Sequence, residues 1–150
     1  MTERVDFYVL QSTAPRERRI FACRLTEKAY LKDLRVIILC ATAEEAKAID
    51  ELLWTFSDRS FVPHQLCDGE HAMEVRDPVR LTAALEGMGS ADLLVNLSDR
   101  LPPDLGHFAR IAEIIDADPE RRRLGRERFK AYRDRKLVLE THQLDGTAHL

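Results

Sequence analysis

No stretch of this sequence approaches the roughly 18 consecutive apolar residues of a membrane-spanning helix, so a membrane protein of that kind is not expected. The opening Met1-Thr2-Glu3-Arg4 is followed by acidic residues and only a short apolar run, which is not the pattern of a signal peptide. Cysteine is scarce. Cys23, Cys40 and Cys67 are an odd number and too far apart for a metal-ligand pair or a disulfide framework, which points to a reducing cytoplasmic setting. The five histidines (64, 71, 107, 142 and 149) form no H-E-x-x-H or similar cluster, so no metal is expected. Six glycines and six prolines exclude a repeat fibre or a linker-rich chain.

Nucleotide chemistry is missing too. Gly87-Met88-Gly89 lacks a third glycine and precedes a strand pattern, whereas phosphate binding needs the turn after a strand, where helix amides converge. The first strand leads into Gln11-Ser12-Thr13-Ala14-Pro15, with no glycine to let a phosphate approach. There is no G-x-x-x-x-G-K-[ST] and no G-x-S-x-G elbow. Cys23 and Cys40 read as small core residues, and His64 as a structural or surface histidine. The expectation is a non-enzyme without a cofactor. A small α/β enzyme stays open only through spatial convergence that the sequence does not display.

What is present is one domain's worth of ordinary globular sequence: 150 residues, 45% hydrophobic and 33% charged. Val5–Leu10 and Arg35–Cys40 read as buried strands. Between them a helix starts near Pro15 and ends around Lys32-Asp33, with Phe21, Ala22, Leu25 and Ala29 as its core stripe. Thr42 followed by Glu45 is a capping box opening a second helix, whose stripe is Ala46, Ile49, Leu52, Leu53 and Phe56. Phe61-Val62-Pro63-His64 is extended, and Pro63 restricts it to a sheet edge. Residues 67–76 are polar and irregular, and Glu86–Ser90 is a turn. Pro78–Leu81, Asp92–Leu97, Arg110–Asp116 and Leu137–His142 read as further strands, and a last helix spans Pro119–Arg135. The order implies a single Rossmann-like α/β domain, residues 1–143, with a mainly parallel central sheet flanked by helices and no nucleotide-binding motif. Residues 144–150 are read as a frayed tail.

Two features stand out. Residues 119–136 hold nine Arg/Lys and three acids, a local charge of +6 that leaves −9 for the rest. On a wheel of the last helix, Arg126, Phe129, Lys130 and Arg133 fall within an arc of about 100°. Leu124, Ala131 and Tyr132 lie opposite and are expected to be buried. The exposed face is then an apolar spot among cations, suited to a peptide bearing a hydrophobic side chain and carboxylates. Direct binding of single-stranded nucleic acid by this basic helix is the rival reading. The second feature is Trp54, which sits about 80° off the core stripe of its helix. With Phe61 it forms either a satellite core or an aromatic anchor for a protein partner.

The residues Asp6-Phe7-Tyr8, Ala22-Cys23, Arg35-Val36, Asp50-Glu51-Leu52-Leu53-Trp54, Ser60-Phe61-Val62-Pro63-His64 and Arg126-Glu127-Arg128-Phe129-Lys130-Ala131-Tyr132-Arg133 occur in that order over about residues 5–135. Together they resemble the chi-subunit family of the bacterial DNA polymerase III holoenzyme, a clamp-loader accessory. The resemblance implies a Rossmann-like fold without a nucleotide and a non-catalytic adaptor. It implies that Arg126, Phe129, Lys130 and Arg133 bind the acidic, hydrophobic C-terminal tail of the single-stranded-DNA-binding protein, SSB. It also implies that Trp54 and Phe61 face the psi subunit, which links to the clamp loader, and that an accessory helicase shares this surface. DNA would then be contacted only indirectly.

Overall fold

The computed structural model describes residues 2–57, 61–67 and 77–144. Residues 68–76 of the expected irregular stretch, with His71, lie outside the described residues, as do Ser60 and positions 145–150 of the expected tail. Among the described residues seven strands form one sheet: β1 (Arg4–Val9), β2 (Val36–Leu39), β3 (His64–Leu66), β4 (Val79–Thr82), β5 (Ala91–Asn96), β6 (Phe108–Ile115) and β7 (Val138–Gln143). Their order across the sheet is β3-β4-β2-β5-β6-β1-β7, and every pairing is parallel. Helices α1 (Pro15–Tyr30) and α2 (Ala43–Thr55) cover one face, and α3 (Pro119–Asp134) covers part of the other. A short 3-10 turn at Leu105–His107, which the sequence reading did not include, leads into β6.

The helix boundaries follow local chemistry. Pro15 and Pro119 each open a helix, where the missing N–H costs nothing. Thr42 Oγ1 accepts the Glu45 amide at 3.1 Å, and Glu45 Oε1 accepts the Ala41 amide at 3.0 Å, so the box closes one residue earlier than its usual reciprocal partner. Asp118 caps α3 by accepting the Arg121 amide at 2.8 Å. The predicted stripes are buried as expected, with Phe56 only partly covered. β3 starts directly after Pro63 and is an edge strand.

The crevice at the carboxyl ends of parallel strands is where ligands of doubly wound folds sit. Here buried Arg18 of α1 fills part of it, donating to the Ile114 carbonyl and the Leu97 carbonyl, each at 2.9 Å. Burial pushes its guanidinium down to about 10.

One expectation is corrected. The buried side of α3 is Gly125, Arg128 and Tyr132, while Leu124 and Ala131 are only partly covered. The reason is a buried carboxylate. Glu113 of β6 is fully enclosed, and it accepts Arg128 Nε at 3.1 Å, the Tyr132 hydroxyl at 2.6 Å and Asn96 Nδ2 at 2.9 Å. Burial pushes its acid group upward, and Arg128, Tyr132 and Asn96 pull it back by favouring the anion. Gly125 lets the helix settle, since a Cβ there would stand 2.3 Å from Ile115 Cδ1. These contacts turn α3 by roughly 50° from the orientation that apolar residues alone would choose.

Two predictions follow from this packing. Arg128→Met leaves Glu113 buried without its ionic partner and should lower the unfolding free energy by about 3 kcal/mol, read from urea denaturation. Cys23 and Cys40 are fully buried, and burial pushes both thiols up to about 12. Alkylation at pH 8 followed by mass spectrometry should therefore find neither modified until denaturant is added.

Candidate functional site

The strand register sets the floor of a cleft. Phe7 and Val9 of β1 point to the α3 side of the sheet, opposite Thr141 and Gln143 of β7 and beside Ile115 of β6. α3 lies across this corner and closes it with Arg122, Gly125, Arg126 and Phe129. The result is an open cleft of about 310 Å³ between α3 and the end of the sheet. Phe129 is half-buried, and its ring meets Phe7 edge-on at 5.2 Å. Phe7 also contacts Tyr132 at 5.9 Å, so the aromatic floor is braced by the residue that bonds Glu113. At the mouth, Gln11 donates to Gln143 at 3.3 Å.

The rim is cationic. Arg126 is exposed and makes no hydrogen bond or ion pair among the described residues. Arg122 is held in place by the Asp116 carbonyl at 3.1 Å and the Leu10 carbonyl at 3.3 Å. The remaining cations of the helix divide into two sets. Arg121 is paired with Asp116, Arg123 with Glu120 and Glu127, and Arg128 with Glu113. Lys130, Arg133, Arg135 and Lys136 are exposed and form no ion pair among the described residues.

Of the four residues singled out from sequence, the cleft thus gathers Arg126 and Phe129. Lys130 and Arg133 stand on the outer face of α3 and do not line it. Arg122 was missed, although it precedes Arg126 by one helical turn and so shares its face. Phe7, Val9 and Thr141 were also missed, because only the order of the sheet brings them there.

The cleft can accommodate one apolar side chain over Phe7 and Phe129. It can meet a carboxylate with Arg122 and Arg126, whose forked guanidinium groups suit bidentate contacts. It holds no acid, thiol or hydroxyl arrangement that would activate a nucleophile among the described residues.

At the far edge of the sheet, Trp54 and Phe61 are 55% and 64% exposed, and their rings lie 5.6 Å apart. They form an outward-facing pair rather than a satellite core.

One further cluster, Asp6, Glu140 and His142, lies on the opposite face of β1 and β7. Arg4 engages both carboxylates there, at 3.2 and 3.7 Å, and so supplies the compensating charge itself. No helix among the described residues is long and apolar enough to cross a membrane.

Comparison with known proteins gives a consistent result. A family model described as "DNA polymerase III chi subunit, HolC" matches residues 1–140. The DNA polymerase III subunit chi of Pseudomonas aeruginosa is 35% identical over 141 residues, which is 94% of this chain and 96% of that protein. The corresponding protein of Haemophilus influenzae is 29% identical over 134 residues, covering 89% and 92%. Among solved structures, T4 UvsW superposes with a TM-score of 0.66 at 13% identity, covering 95% of this chain and 41% of UvsW, a likeness of fold alone.

Proposed function

The chain belongs to the DNA polymerase III chi-subunit family, and from that premise we propose that it is a non-catalytic replication adaptor. In this reading it works in the cytoplasm, holding the C-terminal tail of SSB with one edge of its sheet and the clamp loader, through psi, with the other. The observation that carries it is the open cleft with an aromatic floor and two arginines at its rim.

The tail's apolar side chain packs over Phe129 and Phe7, and its carboxylates meet Arg126 and Arg122. Lys130 and Arg133, outside the cleft, contribute to the attracting field more than to contact. Affinity for a short peptide is on the order of micromolar, about −8 kcal/mol. An SSB multimer presenting several tails strengthens this by effective concentration. Binding weakens with salt because the rim is exposed to solvent.

Trp54 and Phe61 serve as the anchor for psi, and an accessory helicase uses the same surface in its turn. The two patches are separated by the full seven-strand width of the sheet, roughly 29 Å at about 4.8 Å per strand, so both can be occupied together.

The rival reading, direct binding of single-stranded DNA, has one observation in its favour. The free cations Lys130, Arg133, Arg135 and Lys136 continue past the cleft. A gel-shift titration with single-stranded DNA in the absence of SSB separates the two readings, and the adaptor reading expects no shift at physiological salt.

Calorimetry with a synthetic SSB-tail peptide tests the cleft directly. Arg126→Ala should weaken binding by about 1.5–3 kcal/mol, the worth of hydrogen bonds to a charged group. Lys130→Ala should cost under about 1 kcal/mol, as an exposed charge. Equal losses in both variants would remove the cleft from the account. Trp54→Ala should abolish co-purification with psi while leaving the peptide isotherm unchanged.

A further inference from the structure

The two edges of the sheet are not alike. The β3 edge is three residues long and follows directly on Pro63. The exposed Trp54 and Phe61 rings stand beside it, with the His64 imidazole buried against Trp54, ring centroids 4.8 Å apart. Short edge strands and prolines are common devices against stray pairing. The β7 edge has neither. Val138–Gln143 runs for six residues in unbroken register beside β1, with no proline, glycine or lysine in it. The Leu144 N–H donates to the Val9 carbonyl at 3.0 Å. Backbone direction alternates along a strand, so Val138, Glu140 and His142 also turn their N–H and C=O groups toward β1. Leu139, Thr141 and Gln143 turn theirs away from the sheet, and these groups have no partner among the described residues.

We propose that β7 is a self-pairing edge, through which two copies of this chain join antiparallel into one continuous sheet. A second copy is the occupant because the strand complements its own reverse. Opposed residues of an antiparallel pair both turn their backbone across the seam or both turn it away. A two-fold axis at Thr141 obeys that rule and pairs the whole strand. Thr141 then opposes Thr141 of the second copy, a cross-strand pair of a kind that stabilises sheets. Leu139 opposes Gln143, Glu140 opposes His142, and Val138 opposes Leu144. The three outward residues of each copy exchange about six backbone hydrogen bonds in all. No like charges meet. An axis at Glu140 would set the two carboxylates directly against each other and leave fewer residues paired. Glu140 thus selects the register.

The axis is normal to the sheet, so both α3 helices lie on the same face. Thr141 and Gln143 send their side chains into the cleft while their backbone faces the seam. The two clefts therefore flank one seam. α3 crosses β1, where Phe129 and Tyr132 meet Phe7. β1 and its copy stand three strand spacings apart, about 14 Å. Packed helices need only about 8–10 Å, so the two α3 helices have room. The pairing sets two rims of Arg122 and Arg126 side by side, where one SSB multimer can engage both with two tails. That consequence rests on the cleft being the tail site, whereas the pairing itself does not.

The free, full-length chain tests it. Sedimentation velocity over a concentration series should show reversible monomer–dimer exchange with a Kd on the order of 100 μM, as suits an interface below standard size. A chain still monomeric at about 1 mM overturns the proposal. Thr141→Pro removes the outward N–H of the central pair without touching a bond to β1, and should weaken association at least about tenfold. Thr141→Val keeps that N–H and should stay within about fivefold of the parent. Association unmoved by Thr141→Pro overturns the proposal. Cysteine reads the register independently of that variant's folding. In Thr141→Cys the opposed Cα atoms stand about 5.5 Å apart, within disulfide reach, so mild oxidation should give a covalent dimer. The native Cys23, Cys40 and Cys67 are buried. Gln143→Cys, which opposes Leu139, should stay uncrosslinked. Crosslinking through position 143 and not 141 overturns the proposal. A Thr141→Cys dimer from a chain that fails to bind the SSB-tail peptide would sink the cleft reading alone and leave the pairing standing.

Discussion

The carboxylate of Glu113, enclosed between β6 and α3, determines how the last helix lies on the sheet. A buried ion of this kind costs several kcal/mol of desolvation. Three donors from two elements compensate it: Arg128 and Tyr132 of α3, and Asn96 of β5. Each has a fixed direction, so the helix cannot roll without leaving the anion bare. The roll angle decides everything on the outer surface of α3. It presents Phe129 to Phe7 at the rim of the cleft and leaves Arg126 in water. An apolar seam would have tolerated sliding. A charged peg with three ligands does not, and it fixes the backbone of α3 over the aromatic floor of the cleft.

Much of this architecture was legible before any coordinates. Unbroken apolar runs such as Val36–Leu39 announced strands covered on both faces, and the Thr42/Glu45 box and the two opening prolines fixed helix starts. These signals are local, carried by residues within one turn of each other. Legibility failed where the cause was remote. The wheel of α3 gave Arg128 no role, because nothing near it in sequence reveals a carboxylate fifteen residues away. Arg122 owes its pose to the Leu10 carbonyl, 112 positions earlier. Lys130 and Arg133 were grouped with Arg126 by angle and by the resemblance, yet a cleft has length as well as direction, and they do not line it. The resemblance to relatives supplied the family and the two surfaces. The division of labour within them came from geometry.

The sheet gives the two surfaces independence. One is built on α2 and the β3 edge, the other on α3 and the β7 edge, and the stiff parallel core lies between. The sites also differ in chemistry. The β3 side offers two exposed rings above a buried imidazole, so contact there is governed by shape and apolar area. The β7 side offers cations around a small apolar floor, so contact there is governed by charge and salt. The two surfaces thus share no residue.

The position of β1 has a consequence for synthesis. Its two neighbours, β6 and β7, come from the last third of the chain, with Arg4 opposite Arg110 on one side and Val138 on the other. At about 5–20 residues per second, the ribosome needs roughly 7 to 27 seconds to travel from the first of these residues to the last. Until Arg110 is made the nascent strand Arg4–Val9 has neither neighbour to pair with, and for the rest of that interval it has only β6. It is an apolar segment with open backbone on both sides, the kind of segment that chaperones bind and aggregates recruit. The sheet acquires its seventh position only when the final strand emerges, so the β7 side of the corner that holds the cleft is the last part of the sheet to form.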